Sequence, residues 1–275
     1  MRRIVSLTTD FGRDWYVGAM RGAVLRRCPD AVLADITHDI PPHDVAAGAF
    51  ALAAACTAFP PGSIHLAVVD PGVGGTRRPL ALAAGLDFLV GPDNGLLSLA
   101  ARALQNARPT SPPTRAVILD PARLGVTRLS ATFHGRDLFA PAAGSLAAGA
   151  TLEDLGEPAP EWMQLAPPLP EASSDTWRLT ILYVDSFGNA VTNLRMEDLS
   201  DAAWSWRPVE ADRPSSQSIR VRHAYDEVAP GDSLLIGGSA GFLEIAVREG
   251  RSDQKWGLAR GSLVTLVVSA SHETK

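Results

Sequence analysis

Residues 4–36 read IVSLTTDFGRDWYVGAMRGAVLRRCPDAVLADI, and their hydrophobic pattern changes period twice. A short apolar run predicts a strand over 4–7, and apolar residues at helical spacing predict a helix over 17–27. Pro29 ends the helical pattern, and a second apolar run predicts a strand over 31–36. Strand, helix and strand in this order are typical of a parallel βαβ unit.

The same alternation continues to residue 104. Asp44 is placed to cap an alanine-rich helix, which Pro60 and Pro61 end. The apolar run at 64–69 is almost continuous, as expected for a strand covered on both faces of a sheet. Residues 80–84 and 87–90 have the pattern of a hairpin, and 95–104 that of a helix. We therefore predict an α/β fold whose N-terminal domain is layered around a mostly parallel sheet.

The pattern changes again beyond residue 158, where residues 167–174 read PPLPEASS. A segment of this composition is typical of a linker between domains. After it come short β-type runs with little helix between them, at 180–184, 218–221, 233–236, 243–247 and 263–268. We expect an α/β domain over 1–166, a linker over 167–176, and a small all-β domain, barrel or sandwich, over 177–275.

Composition narrows the class of protein. Of the 275 residues, 46% are hydrophobic and 20% charged, so the chain is able to bury a sizeable core. A net charge of -5 gives no basic surface for nucleic acid or an anionic membrane. The first apolar run is too short for a signal peptide, and the run at 45–59 falls short of the ~20 residues that cross a bilayer. We predict a cytoplasmic protein with two reduced cysteines.

Polar residues follow the predicted strands of the first domain, where ligands bind in open α/β sheets. Asp10 follows the first strand, and Asp70 follows the third and begins a loop that reads DPGVGGTRR. The loop lacks the Gly-Lys-Ser/Thr ending of a phosphate-binding loop. Taken alone, it is either a site or a turn held by an Asp70–Arg77 pair.

Two further polar segments are candidates. His134 lies in SATFHGRD and is either a site residue or a hydrogen-bonded core histidine. Asp185, Phe187 and Asn189 lie in DSFGN, which has the chemistry of a hairpin turn. The same residues offer a carboxylate for an ammonium, an aromatic face for a base and an amide for the edge of a base.

Together the motifs resemble one family, the S-adenosyl-L-methionine (SAM) hydroxide adenosyltransferases, or SAM hydrolases, whose relatives are fluorinase and chlorinase. The resemblance spans nearly the full length. It is carried in order by TTDFG at 8–12, DITH at 35–38, VDPGVG at 69–74, GPDNG at 91–95, TFHGRD at 132–137, FGN at 187–189 and GSAGFLEIA at 238–246.

The resemblance implies that SAM binds between the α/β domain of one subunit and the β domain of its neighbour in a homotrimer. Asp10 matches the residue that holds both ribose hydroxyls, which suits the two acceptor oxygens of a carboxylate. The other substrate-binding positions implied are Asp185 for the methionine ammonium, Phe187 as an aromatic wall, Asn189 for the adenine edge, Ser239 for the methionine end, and Tyr16 and His43 as lining residues.

Asp70, Arg77 and His134 match the polar triad of the hydroxide-using branch, because fluorinase has Tyr at the first position and Tyr-Ser where this chain has His134-Gly135. The reaction implied is hydrolysis of SAM to adenosine and L-methionine by water attacking C5′. Asp70 and His134 would hold the water, one of them taking its proton, and Arg77 would pair with Asp70. Neither a metal nor another cofactor is expected.

Three other functions stay open at this point. The chain could be a SAM or adenosine sensor without turnover, in which the triad is only an ion-pair network. It could be a metal-dependent hydrolase that uses Asp10, Asp35, His38 and Asp70. It could also be a halogenase of the same family, although the Tyr and Ser residues of the halogenases are absent.

Overall fold

The protein, here a computed structural model, divides into two compact units, Met1–Leu165 and Ala166–Lys275. The structure describes residues 3–173, 176–199, 204–206, 209–210, 213–214 and 218–268. The helices are α1 (Trp15–Arg27), α2 (Val45–Cys56), α3 (Ser98–Ala107), α4 (Ala140–Ala147) and α5 (Ser252–Trp256). None of the described helices has the length and apolar character needed to cross a bilayer.

The first unit contains one seven-stranded sheet in the order β2-β1-β3-β5-β4-β6-β7. Its strands are β1 (Ile4–Thr9), β2 (Val32–Thr37), β3 (Ile64–Val68), β4 (Pro79–Ala84), β5 (Asp87–Pro92), β6 (Arg115–Leu119) and β7 (Gly156–Pro158).

The α/β prediction for this unit is confirmed, and the parallel strands lie together in one half of the sheet. The pairs β1–β2, β1–β3 and β3–β5 are parallel. The pairs β4–β5, β4–β6 and β6–β7 are antiparallel. The hairpin of β4 and β5 reverses the chain direction, so the sheet is mixed where a mostly parallel one was expected. The parallel half contains β1 and β3, the strands that Asp10 and Asp70 follow.

Two pairs of helices pack in the first unit, α1 with α4 and α2 with α3. The first pair shares a buried core with β1 and β3, through residues such as Met20, Leu7 and Leu66. Because side chains alternate along a strand, Ser6 and His65 face the opposite side, where His65 contacts Phe59 just after α2. Asp44 caps α2 as predicted, since its side chain accepts a hydrogen bond from the backbone N–H of Ala47.

The second unit is a closed β-barrel, which decides between the barrel and the sandwich. Its larger sheet runs β10-β16-β15-β14-β11-β17-β9-β8, and a β10–β9 pairing closes the ring. The strands are β8 (Glu171–Ala172), β9 (Thr176–Val184), β10 (Ala190–Arg195), β11 (Trp204–Trp206), β12 (Val209–Glu210), β13 (Arg213–Pro214), β14 (Ile219–Arg222), β15 (Ser233–Gly237), β16 (Phe242–Val247) and β17 (Leu263–Val268).

Two features of this unit differ from the sequence pattern. The predicted linker over 167–176 contains the strand β8 and the first residue of β9. The strand β8 pairs antiparallel with β9, so part of the linker belongs to the sheet. The strand β10 was missed because Thr192 and Asn193 interrupt its apolar pattern. Both residues are buried, and their polar atoms have partners: the hydroxyl of Thr192 donates to the carbonyl of Leu243 at 2.8 Å, and Nδ2 of Asn193 donates to the carbonyl of Pro168 at 2.9 Å.

Candidate active site

Three polar residues lie at the carboxyl ends of neighbouring parallel strands. Asp10 follows β1, His38 follows β2 and Asp70 comes two residues after β3. Because β1 lies between β2 and β3, these ends meet at one edge of the sheet. That edge is where α/β sheets bind ligands, as the sequence predicted.

Asp70, Arg77 and His134 form one connected cluster. Arg77 Nε donates to Asp70 Oδ1 at 2.9 Å, and Arg77 Nη2 donates to Asp70 Oδ2 at 2.5 Å. The same Nη2 lies 2.7 Å from His134 Nδ1. The side chains of Asp70 and Arg77 are 5% and 10% exposed, and His134 is buried. The structure thus brings together the three residues predicted as a triad.

The contact with Arg77 defines the protonation of His134. A guanidinium only donates hydrogen bonds, so Nδ1 of His134 must accept, and the neutral ring carries its proton on Nε2. Burial lowers the pKa of His134, and the Arg77 cation lowers it further, against the opposing effects of Asp70, Asp137 and the Ser130 carbonyl. Nδ1 is therefore engaged as an acceptor, and the proton of the neutral ring is on Nε2.

Close backbone packing holds the two loops of the triad together. Gly74 has φ +75°, and a Cβ there would lie 2.2 Å from the carbonyl oxygen of Ala131. No residue other than glycine fits this contact without moving one of the loops. Arg77 also lies over the ring of Phe139, with its Cζ 5.2 Å from the centroid. Phe139 ends a turn of π-helix, Gly135–Phe139, that directly follows His134.

The loop that carries Asp10 is held by a second polar network. His38 Nε2 lies 3.1 Å from Asp35 Oδ1, and Asp35 also pairs with Arg21. Because that nitrogen faces a carboxylate, Nδ1 accepts from the Thr9 hydroxyl at 2.8 Å. Thr9 precedes Asp10 directly, so the network orients the residue before the predicted ribose ligand.

Asp10 itself contacts His43. The backbone N–H of His43 donates to Asp10 Oδ2 at 2.8 Å, and His43 has an unusual φ of +67°. This left-handed conformation is uncommon outside glycine and often accompanies function. The pairing of these two predicted residues leaves Asp10 Oδ1 without a hydrogen bond from any described residue.

Tyr16 belongs to an aromatic cluster next to the triad. Its ring centroid lies 5.1 Å from that of Phe133, the residue before His134, and 5.5 Å from that of Phe11. With Trp15 and Arg136, these rings line a cavity of about 310 Å³. Tyr16 therefore lies beside the triad, at a position consistent with lining a ligand pocket.

In the second unit, Asp185, Phe187 and Asn189 share the loop that joins β9 to β10. Asp185 Oδ1 accepts from the backbone N–H groups of Phe187 and Asn189, at 2.9 and 2.8 Å. Asp185 Oδ2 accepts from Asn189 Nδ2 at 3.0 Å. The expected hairpin turn and the expected cluster are thus the same structure. Phe187 is 75% exposed, and the Oδ1 of Asn189 remains available as an acceptor.

Ser239 lies in the turn between β15 and β16, and its neighbour Gly238 lies against Glu244, a residue for which no role was predicted. A Cβ on Gly238 would lie 1.7 Å from Oε1 of Glu244. Burial, followed by the charge of Asp185, raises the pKa of Glu244 to about 7. Glu244 therefore connects the turn of Ser239 with the loop of Asp185.

The network residues Arg21, Tyr225 and Glu244 were missed for identifiable reasons. Arg21 looks like an exposed helical residue until the sheet brings β2 beside α1. Tyr225 lies in an irregular segment, and only the structure places its hydroxyl 3.3 Å from Asn189 Nδ2. Glu244 had a signal, because a lone carboxylate interrupts the apolar run of β16, FLEIAV.

The metal-dependent alternative required Asp10, Asp35, His38 and Asp70 to surround one ion. Asp35 is paired with Arg21 and His38, and Asp70 with Arg77. Among the described residues, no group of three His, Cys, Asp or Glu side chains has an arrangement that could hold a metal.

Comparison with known proteins agrees over both units. Two family models match, the SAM hydroxide adenosyltransferase N-terminal domain over residues 5–156 and the C-terminal domain over residues 179–265. A Salinispora tropica protein named (R)-S-adenosyl-L-methionine hydrolase is 42% identical over 264 residues, which cover 94% of this chain and 95% of that protein. A Thermus thermophilus protein of the same name is 38% identical, covering 96% and 100% of the two chains.

More distant matches extend the same relationship. A solved structure of an uncharacterized conserved protein from Thermotoga maritima superposes with a TM-score of 0.84 at 29% identity, covering 96% of this chain and 99% of that one. A Nocardia brasiliensis fluorinase is 27% identical over 231 residues, or 72% of this chain and 73% of that protein. Since the family models match both units and relatives above 30% identity align over almost the whole length, this chain belongs to the SAM hydroxide adenosyltransferase family.

Proposed function

We propose that this protein hydrolyses SAM to adenosine and L-methionine. The observation that carries the proposal is the buried cluster in which Arg77 joins Asp70 to His134 at the carboxyl edge of the sheet. The names of the relatives at 42% and 38% identity support the substrate. A sensor would not need a polar cluster able to hold a water nucleophile beside its ligand.

The chemistry asks little of the protein besides positioning. The oxygen of water bonds to C5′ while the C5′–S bond breaks, and methionine leaves as a neutral thioether, so no acid is needed. The protein must hold one water in line with that bond and exclude bulk solvent. It must also accept the proton that the attacking water loses.

Asp70 is the group best placed to accept that proton. His134 Nδ1 receives a hydrogen bond from Arg77, and Nε2 already carries a proton, so the ring has no free basic nitrogen. Asp70 Oδ2 accepts two hydrogen bonds from Arg77, whereas Oδ1 accepts one and keeps a further acceptor position. In this scheme Asp70 takes the proton, Arg77 stabilises the charge, and His134 is a positioning residue for Arg77.

Substrate binding then falls to the other predicted residues. Asp10 would use its free oxygen for the ribose, while Tyr16 and His43 line the pocket. Asn189 would offer Oδ1 to the adenine amino group, and Phe187 its exposed ring. Ser239 and Asp185 would bind the amino acid end.

We further propose a homotrimer in which the α/β domain of one subunit and the β domain of its neighbour complete each site. The family resemblance is the support for this arrangement, because it pairs residues of one domain with those of another subunit. The cytoplasmic location also stays a prediction.

Halogenation is the closest competing reaction, and the packing around Gly135 argues against it. Fluorinases have a halide-binding Ser at this position. Here a Cβ on Gly135 would lie 3.1 Å from Met20 Sδ and 3.3 Å from Phe133 Cε2. A serine would therefore require both neighbours to move, and Gly135 itself offers the halide no hydroxyl donor.

Incubation with SAM followed by chromatography tests the proposal. We expect adenosine and methionine in equal amounts, with no 5′-halo product when fluoride or chloride is added. Added EDTA should leave the rate unchanged, because the leaving group needs no Lewis acid. Loss of activity in EDTA that a divalent ion restores would contradict the proposed chemistry, and tight binding without products would favour a sensor.

The configuration at sulfur gives a second test. The names of the relatives specify the (R) epimer at the sulfonium, and we propose the same preference here. The two epimers exchange the methyl group and the lone pair, so only one places its methyl in the space the pocket provides. With both epimers present, (R)-SAM should disappear about tenfold faster or more. Equal rates for the two would refute the preference.

A further inference from the structure

We propose that Glu244 is a further substrate-binding residue, whose carboxylate receives the α-ammonium of the substrate together with Asp185. The proposal rests on the function proposed above and identifies a residue of the amino acid end of its site. Three observations lead to it: the burial of Glu244, its lack of partners among the described residues, and its position between two loops.

Glu244 is a carboxylate that the fold has buried on the outer side of the barrel. Its neighbours Leu243 and Ile245 belong to the barrel core, so Glu244 faces the other side of β16. It is nevertheless only 9% exposed. Within the described part of the chain, no hydrogen bond or ion pair reaches its carboxyl group. Buried carboxylates are costly and are normally paired, so an opposite charge is expected to bind there.

The position of Glu244 matches the amino acid end of the proposed site. Its Oε1 occupies the space beside Gly238, next to Ser239, and the charge of Asp185 is close enough to raise the pKa of Glu244. The charged and titratable groups around it are Asp185 and Tyr225. The cation Arg251 lies at the same loop and is attracted by Asp185, whereas no described cation affects the pKa of Glu244.

Asp185 alone is a limited acceptor for an ammonium. Two backbone N–H groups and the amide of Asn189 already occupy three of its acceptor positions. An ammonium has three donors, and the unoccupied oxygens of Glu244 provide acceptors that Asp185 lacks. Asp185 thus stabilises the loop and offers the ammonium one acceptor, and Glu244 offers the other acceptors.

The test compares ligands with and without the amino acid part. In an Asp70→Asn background, which keeps SAM intact, Glu244→Gln should bind SAM about 10–100-fold more weakly, the loss expected for a charge-assisted hydrogen bond. Binding of 5′-methylthioadenosine, which has no ammonium, should not change. Glu197→Gln is the matched control, because Glu197 is an exposed acid of the same unit.

Two readouts separate this inference from a structural role and from the proposed function. Glu244→Gln should leave the melting temperature of the unliganded protein unchanged or raised, since it removes a buried charge beside another carboxylate. At pH 6.5, SAM binding should release protons in the unmutated Glu244 protein and not in Glu244→Gln. Equal affinity for SAM with and without the substitution would overturn the role of Glu244. Absence of SAM turnover by the wild-type protein would instead overturn the proposed function.

Discussion

Replacing Asp70 with asparagine is expected to slow SAM turnover by about 10²–10⁴-fold, the usual contribution of a positioned acid–base group. The side chain keeps its shape and its position beside Arg77 but no longer accepts a proton. Because the change acts on the transition state, SAM affinity measured by calorimetry should stay within a few-fold of the wild-type value. In ¹⁸O-water, the label should enter the 5′-oxygen of adenosine.

Two comparisons make this result specific. Asp87 forms another buried pair with an arginine, Arg108, at 2.7 Å and at the amino end of β5, so Asp87→Asn should preserve turnover. His134→Gln should slow turnover less than Asp70→Asn, because a positioning residue is only partly essential. Full turnover by Asp70→Asn, or a greater loss from His134→Gln, would mean that the base is misassigned.

Two inactive variants should restore each other when they share a trimer. Asp10→Asn and Asp185→Asn each remove one charged ligand from every site, so each protein alone should bind SAM poorly. After dissociation and mixed reassembly, a site is intact when its two halves come from different variants. In a cyclic trimer mixed at equal amounts, this is expected for about one site in four.

The control for that experiment is a mixture of two differently tagged preparations of Asp10→Asn, which should recover nothing. The tags also identify trimers that contain both variants. Unrestored activity in such trimers would place both halves of a site in one chain. A monomer by sedimentation would contradict the assembly itself.

Much of the fold was predictable because hydrophobic periodicity is local. The helices α1 and α2 and the strands β1 to β3 follow from runs of apolar residues and from Asp44 and the prolines. The equal share of parallel and antiparallel pairs in the sheet was not predictable, because the direction of β6 depends on which strand it pairs with. Closure of the barrel likewise depends on the long-range β9–β17 and β10–β16 pairings.

The candidate site was predictable in its charged motifs but not in its connections. Asp70 and Arg77 are seven residues apart, and a pair between them could be expected from sequence. His134 is far from both in the sequence, and the close packing of Gly74 on Ala131 brings its loop beside theirs. The tautomer of His134, and the lack of a partner for Glu244 among the residues the structure describes, are properties of three-dimensional neighbours, which no single motif contains.

The loop that joins β9 to β10 also has an evolutionary consequence. Asp185 accepts hydrogen bonds from two backbone N–H groups of this hairpin. The pairing of the two hairpin strands also closes the barrel. A descendant that exchanged this residue to accept a different ligand would loosen the closure of its own domain. The side chain of Phe187 has no comparable structural role, because its ring is exposed. Adaptation to new substrates is therefore expected to proceed through Phe187 while Asp185 is retained.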